Sequence, residues 1–263
     1  MISVTIDQLY AWINAFFWPF IRIAAMVGTA PLLSESAIPT RVKVGLSVML
    51  TLIVAPTLDP MPPLATASWA ALWIVGQQIL IGISLGLTMR VIFAAVQTAG
   101  EFIGLQMGLS FASFFDPGTG SNTAVLARIL NTVTLLAFIA MNGHLLMISG
   151  LLRTFDVLPI SNMPLDVNGW GVLLEWSRQI VVSGLLLALP VMVVLLTINL
   201  SLGILNRTAQ QLSVFAVGFP ISLTVGLIIL AAVLPQITPF LEGLFQDGYD
   251  MMGSVVRALR SEP

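Results

Sequence analysis

Residues 179–206 read QIVVSGLLLALPVMVVLLTINLSLGILN, with no charged side chain among them. About 20 mostly apolar residues are enough to carry a helix across a bilayer, so this stretch commits the fold to membrane helices. Outward from it, residues 60–89, 102–115, 129–152 and 208–241 are uncharged as well. The run from Leu9 to Leu33 is broken only by Arg22, and Val44 to Leu58 forms a shorter one. None alternates with period two over a useful length, which argues against a membrane barrel. The expected architecture is all-α and polytopic, built of helical hairpins. Helices are expected at about 9–33, 42–58, 68–98, 99–114, 123–152, 179–205 and 212–245.

Composition narrows the function classes. The 263 residues hold 10 Lys+Arg, 12 Asp+Glu and one His, with 8% charged and 57% hydrophobic residues, net charge -2 and mean hydropathy +1.00. Soluble domains run at roughly 25% charge, so an ordinary soluble enzyme and a disordered chain are both excluded. A nucleic-acid partner is excluded too, since there is no basic footprint. Without cysteine there is neither a disulfide framework nor a thiolate metal site. The opening residues carry Asp7 and no Lys or Arg, unlike a secretory signal, so the segment is expected to be retained. If seven segments cross, the Lys/Arg bias places the C-terminus in the cytoplasm. Residues 153–178, with Arg153, Asp156, Asp166, Glu175, Arg178, Pro159 and Pro164, form the one expected hinge between two halves.

The inventory for catalysis is thin. There is one His (His144) and one Lys (Lys43), with no H-E-x-x-H and no phosphate-binding glycine loop. Gly82-Ile83-Ser84-Leu85-Gly86 matches G-x-S-x-G, but a nucleophile elbow needs a strand-to-helix turn and this copy lies in an apolar helical run. His144 reads better as a hydrogen-bonded interior side chain than as a catalyst. A secondary transporter would place ionisable groups near mid-membrane, and Arg22, Arg90, Glu101 and Arg128 are the candidates. Each costs at least about 2.5–3.5 kcal/mol at a bilayer centre unless paired or wetted. Buried or intersubunit pairing is favoured for each over proton relay. A structural membrane scaffold is the third reading.

Gly100, Gly104 and Gly108, followed by Ala112, recur every four residues and form a small-residue stripe. Such stripes let helices approach closely in an apolar medium. The stripe runs into Phe111, Phe114 and Phe115, then into Asp116-Pro117-Gly118, which favours a turn. A capped helix end with core phenylalanines accounts for this pattern. So does a hydrophobic constriction that closes a pore by dewetting. In the last third, runs 179–205 and 212–245 flank the polar residues 206–211 as a hairpin, with Pro190, Pro220 and Pro235 inside the runs as kink points.

Three stretches carry a family resemblance: AGEFIGLQMGLSFASFFDPGTGSN (99–122), LLSESAIPTRVKVGL (32–46) and LSVFAVGFPISLTVGL (212–227). They resemble the FliR/SctT family of type III secretion export-gate subunits, and the likeness extends to about residue 245. That resemblance implies a subunit of the bacterial inner-membrane gate at the flagellar basal body. There it assembles with FliP and FliQ into a closed helical pore, with FlhB at the cytoplasmic mouth and FlhA beneath. It implies a FliP-like part over residues 1–170 and a FliQ-like hairpin over 171–263. It also implies a plug within roughly 106–122, sealed by Phe111 and Phe114 with Phe115 adjacent. Unfolded rod, hook and filament proteins would displace the plug in transit, driven from elsewhere in the machine. No catalytic residue, cofactor or metal is implied, and the partners are protein subunits and membrane lipid. A proton-coupled transporter and a virulence-type gate subunit are the alternatives.

Overall fold

The computed structural model describes residues 6–58, 68–109, 125–208 and 214–260. The elements described are α1 (Ile6–Thr29), α2 (Thr40–Val54), a single 3-10 turn (Ala55–Thr57), α3 (Trp69–Gln106), α4 (Val125–Ala140), α5 (Gly143–Val157), α6 (Asn168–Ser177), α7 (Gln179–Thr208) and α8 (Val214–Ala258). No strand occurs among the described residues. The fold is all-α and polytopic. By length and composition, five helices are apolar enough to cross a membrane, or six if the bent pair α4–α5 is one span.

Several boundaries differ from those expected, each for a local reason. The runs 68–98 and 99–114 are not two helices: α3 continues unbroken through Ala99 and Gly100 to Gln106. A helix of that length extends about 57 Å at 1.5 Å per residue, nearly twice the hydrocarbon thickness of a bilayer. Conversely, the run 123–152 is broken. Asn142 adopts the left-handed conformation (φ 55), so α4 ends at Ala140 and α5 begins at Gly143. Asn is among the few side chains that enter that region readily, and Asn-Gly is a turn signal inside an otherwise apolar run. The segment 153–178 contributes the end of α5 and the whole of α6. The last helix runs on to Ala258 with Pro220, Pro235 and Pro239 inside it. Membrane helices tolerate such prolines because neighbouring groups take up the freed carbonyls.

The chain folds into two compact units. The first comprises residues up to Val91, Asn142–Ser177 and Gln246 onward; the second comprises Ile92–Met141 and Arg178–Phe245. In the first, α1 lies against α3 where Gly82 and Gly86 leave no room for a side chain. A Cβ at Gly82 would stand 2.7 Å from the Ala25 Cβ, and one at Gly86 would stand 2.9 Å from the Ala30 nitrogen. Trp18, Ile23 and Met26 of α1 and Ile81 and Leu85 of α3 are buried. Trp176 of α6 is buried and donates its indole N–H to the Thr88 carbonyl at 2.9 Å. The amide of Gln77 donates to the Met163 carbonyl at 2.5 Å. Gly169 sits against Leu259, and the Asp166 backbone N–H donates to the Leu259 carbonyl at 3.1 Å. In the second unit, Phe93, Phe138 and Phe245 form an aromatic triangle with centroid separations of 5.3 to 6.0 Å. Edge-on and tilted rings at such distances are favoured over a face-to-face sandwich.

Candidate functional site

Of the four charges singled out in apolar runs, the structure buries one. Arg22 is fully buried, whereas Arg90, Glu101 and Arg128 are exposed on this chain. Arg22 shares the inner stripe of α1 with Trp18 and Met26, four residues to either side. Its guanidinium is held on every edge. Nε donates to Oε1 of Gln78 at 2.7 Å, Nη1 to the Thr154 carbonyl at 3.0 Å and to Oγ1 of Thr154 at 3.1 Å, and Nη2 to the Leu158 carbonyl at 2.9 Å. The Thr154 hydroxyl donates in turn to the Leu151 carbonyl at 2.6 Å, which leaves its lone pairs free for Arg22. The Phe155 ring lies under the guanidinium carbon, 4.2 Å from centroid to Cζ.

All of these partners are neutral. The compensation comes from the last turn of α5, where carbonyls at the negative end of the helix dipole meet the cation, and from the face of an aromatic ring. Lysine has one ammonium and no planar fork, so it cannot reproduce the set. Sequence reading flagged Arg22 but not Gln78, Thr154 or Phe155. The one available signal was polar residues interrupting apolar runs.

The glycines of the stripe have three different surroundings. Gly100 is packed against α4: a Cβ there would stand 2.7 Å from the Ala127 nitrogen and 3.0 Å from the Ala127 Cβ. Gly104 is not in such contact; a Cβ would meet only the Leu109 Cδ1, at 4.0 Å, among the described residues. Gly108 lies beyond the end of α3 with φ 80, so its place on a continuous helical stripe is corrected. There it closes a Schellman cap. The Leu109 N–H bonds the Gly104 carbonyl at 3.0 Å and the Gly108 N–H bonds the Leu105 carbonyl at 3.1 Å. The helix stops because glycine takes the left-handed turn at little steric cost. Phe111, Phe114, Phe115, Asp116, Pro117 and Gly118 lie outside the described residues.

Other candidates are placed plainly. The Ser84 hydroxyl donates to the Ile81 carbonyl of its own helix at 2.8 Å, so the G-x-S-x-G match is part of a helix-packing surface and not an elbow. His144 stands in the first turn of α5. Its Nδ1 is buried without a hydrogen-bond partner among the described residues, and Tyr249 donates its hydroxyl to the neighbouring Gly143 carbonyl at 3.2 Å. No group of three His, Asp or Glu residues able to hold a metal ion occurs among the described residues.

Comparison with known proteins joins these features to a family. The chain matches the profile of the bacterial export proteins, family 1, over residues 13–248. It is 50% identical to the flagellar biosynthetic protein FliR of Escherichia coli (strain K12) over 259 residues, which covers 98% of this chain and 99% of the relative. It is 51% identical to FliR of Pectobacterium carotovorum over 261 residues, covering 99% and 100%. Even the FliR of Bacillus subtilis (strain 168) is 31% identical over 235 residues, covering 88% and 90%. With the profile matched across most of its helices and its relatives matched nearly end to end, the chain belongs to the bacterial export proteins, family 1, the family of FliR.

Proposed function

We propose that the chain is a subunit of the flagellar export apparatus. In this reading it sits in the bacterial inner membrane at the basal body and forms, with FliP and FliQ, the closed pore through which unfolded flagellar proteins pass. The observation that carries this is the near-complete coverage of FliR proteins at 50% and 51% identity. FlhB and FlhA are the further partners. Residues 1–170 are the FliP-like part and residues 171–263 the FliQ-like hairpin.

The role is passive gating, not catalysis. Phe111 and Phe114, with Phe115 beside them, seal the pore by excluding water, because a constriction lined with aromatic rings holds no favourable site for an ion. Arg90, Glu101 and Arg128, exposed on this chain, face neighbouring subunits or a wet vestibule and not lipid. Large apolar side chains that stand outward, such as Leu185, Leu186, Leu196 and Leu200 of α7, suit a component of a larger membrane assembly. A proton-coupled transporter is less well supported: Glu101, the one acidic residue among the four charges, lies at the surface.

The experiment is extraction of the tagged chain in mild detergent. It is expected to elute in a complex with FliP and FliQ; a chain that purifies alone overturns the reading. Within such a complex, Phe111→Ala combined with Phe114→Ala is expected to leak ions. Unchanged conductance counts against the seal.

A further inference from the structure

Polar and apolar residues change sides along α3, and the change falls at Arg90. Between Ile74 and Met89 the polar residues are Gln77, Gln78, Ser84 and Thr88, and all four are buried. Each is bonded inside. Gln77 donates to the Met163 carbonyl and Gln78 accepts from Arg22, while Ser84 and Thr88 give their hydroxyls to carbonyls of their own helix. The outward stripe over the same stretch runs through Trp69, Trp73, Gly76, Leu80, Ile83 and Leu87, each three or four residues from the next. Trp69, Trp73, Leu80 and Leu87 are exposed, and a Cβ at Gly76 would meet nothing within 4 Å among the described residues. From Val91 to Gln106 the order reverses. There the buried residues are apolar or glycine, and the stripe continues through Gln97 and Glu101, both exposed.

A helix that faces water carries its polar groups outside, as the second stretch does. The first stretch is inside out, so its outer medium is apolar. Its exposed side chains are also bulky. Helices that pack on one another in such a medium meet through small residues, as α3 meets α1 at Gly82 and Gly86. The two ends of the stripe differ from its middle. Tryptophan gathers where hydrocarbon meets water, with its ring in the apolar layer and its N–H toward the headgroups. Trp69 is 88% exposed, and it opens the helix beside Ser68, whose Oγ accepts from the Ala71 N–H at 3.2 Å. Arg90 is the first charge along α3, and it is exposed. From Trp69 to Arg90 the helix rises about 31 Å at 1.5 Å per residue, which matches a hydrocarbon core of about 30 Å.

We infer that the outward face of α3 from Trp69 to Leu87 is a lipid contact, laid against the acyl chains of the bilayer. Trp69 and Trp73 sit at one headgroup layer, and Arg90 stands in water at the opposite edge. Only the first half of α3 crosses the hydrocarbon. The remaining helix to Gln106, about 24 Å long, extends beyond it with Gln97 and Glu101 outward. This contact follows from the membrane fold and does not depend on the pore proposed above.

Spin labels read the depth. The chain contains no cysteine, so one introduced at an exposed position carries its only label and the unaltered chain gives the background. The tagged chain, with the partners it retains in mild detergent, is returned to vesicles of phosphatidylethanolamine and phosphatidylglycerol. Oxygen, which collects in hydrocarbon, and a polar nickel chelate, which stays in water, are the probes. The ratio of oxygen to nickel collisions at Leu80→Cys is expected to be roughly tenfold that at Gln97→Cys or Glu101→Cys, because a polar solute is strongly disfavoured in hydrocarbon. Trp73→Cys and Leu87→Cys, near the two edges, are expected to fall between. Ile79→Cys, the neighbouring exposed position, repeats the reading independently of how Leu80→Cys folds.

Ratios at Leu80 and Ile79 no higher than at Gln97 overturn the lipid contact. So do labels there that neither probe reaches, since a partner chain then covers the stripe. A maximum beyond Arg90 overturns the division of α3 into two halves. The same readings are expected whether the chain elutes with partners or alone, so failure of the pore and failure of the lipid contact are told apart.

Discussion

The surroundings of Arg22 and those of the α7–α8 hairpin show two opposite uses of polar groups in an apolar chain. Around Arg22 every polar partner is inside. The guanidinium, Gln78 and Thr154 are buried, and the bonds among them close without solvent. On the hairpin the arrangement is turned outward: Asn199 is exposed, and Leu186, Val193, Leu196 and Leu200 of α7 are at least half exposed. Mean hydropathy is lower over α1 than over α7 and α8, yet it distinguishes neither case, because hydropathy records avoidance of water and not the medium that replaces it. The first unit supplies its own burying medium around Arg22. The hairpin leaves that task to lipid or to other subunits.

The contrast breaks most sharply at Arg22. Arg22→Met removes the donors that reach Gln78, Thr154 and Leu158; the Thr154 carbonyl keeps the Leu158 N–H, but Gln78 Oε1 and the Leu158 carbonyl lose theirs, an expected loss of about 3–5 kcal/mol. Thermal unfolding in detergent reads it, and Arg22→Lys is expected to fall between parent and Met. A loss below about 1 kcal/mol, the worth of one ordinary hydrogen bond, means that the knot does not hold the unit together.

Next in size is the glycine stripe. Gly100→Ala forces a methyl group onto Ala127, at an expected cost of about 1–3 kcal/mol. Gly104→Ala meets only the Leu109 Cδ1, at 4.0 Å, among the described residues and removes a helix-weakening glycine, so a gain of about 0.5–1 kcal/mol is expected. Equal costs at the two positions mean that an occupant absent from this chain, and not α4, sets the packing there.

The smallest effect belongs to Trp176→Phe. It deletes the indole bond to the Thr88 carbonyl while keeping most of the buried ring, and about 0.5–1.5 kcal/mol is expected by the same unfolding measurement. Thr88 Oγ1 bonds its own helix at the Ser84 carbonyl, so the threonine side chain cannot compensate.

Much of the fold was legible because a helix that avoids water needs only a run of apolar residues, and such runs are local. The stretches around 9–33, 179–205 and 212–245 are helical over most of their length. The stop at Gly108 was harder to read, since glycine at four-residue spacing looks the same whether it packs a helix or ends one. The break at Asn142 was carried by two residues inside an apolar run. The motif at 99–122 pointed to the family, yet Phe111, Phe114 and Phe115 lie outside the described residues, so their part in a seal rests on that resemblance.

By itself, the sequence determined that the chain is all-α, lives away from water and resembles a known export family. Charge content, run length and motif are properties of neighbouring residues, and folding does not alter them. Only the tertiary structure decided which charge is buried. Arg22 and Arg90 look alike in an apolar run, but the partners of Arg22 lie 56, 132 and 136 positions away along the chain. No local pattern encodes a meeting over such distances. It exists because α1, α3 and the end of α5 pack together, and a buried cation is stable only where that packing brings acceptors to every edge of it.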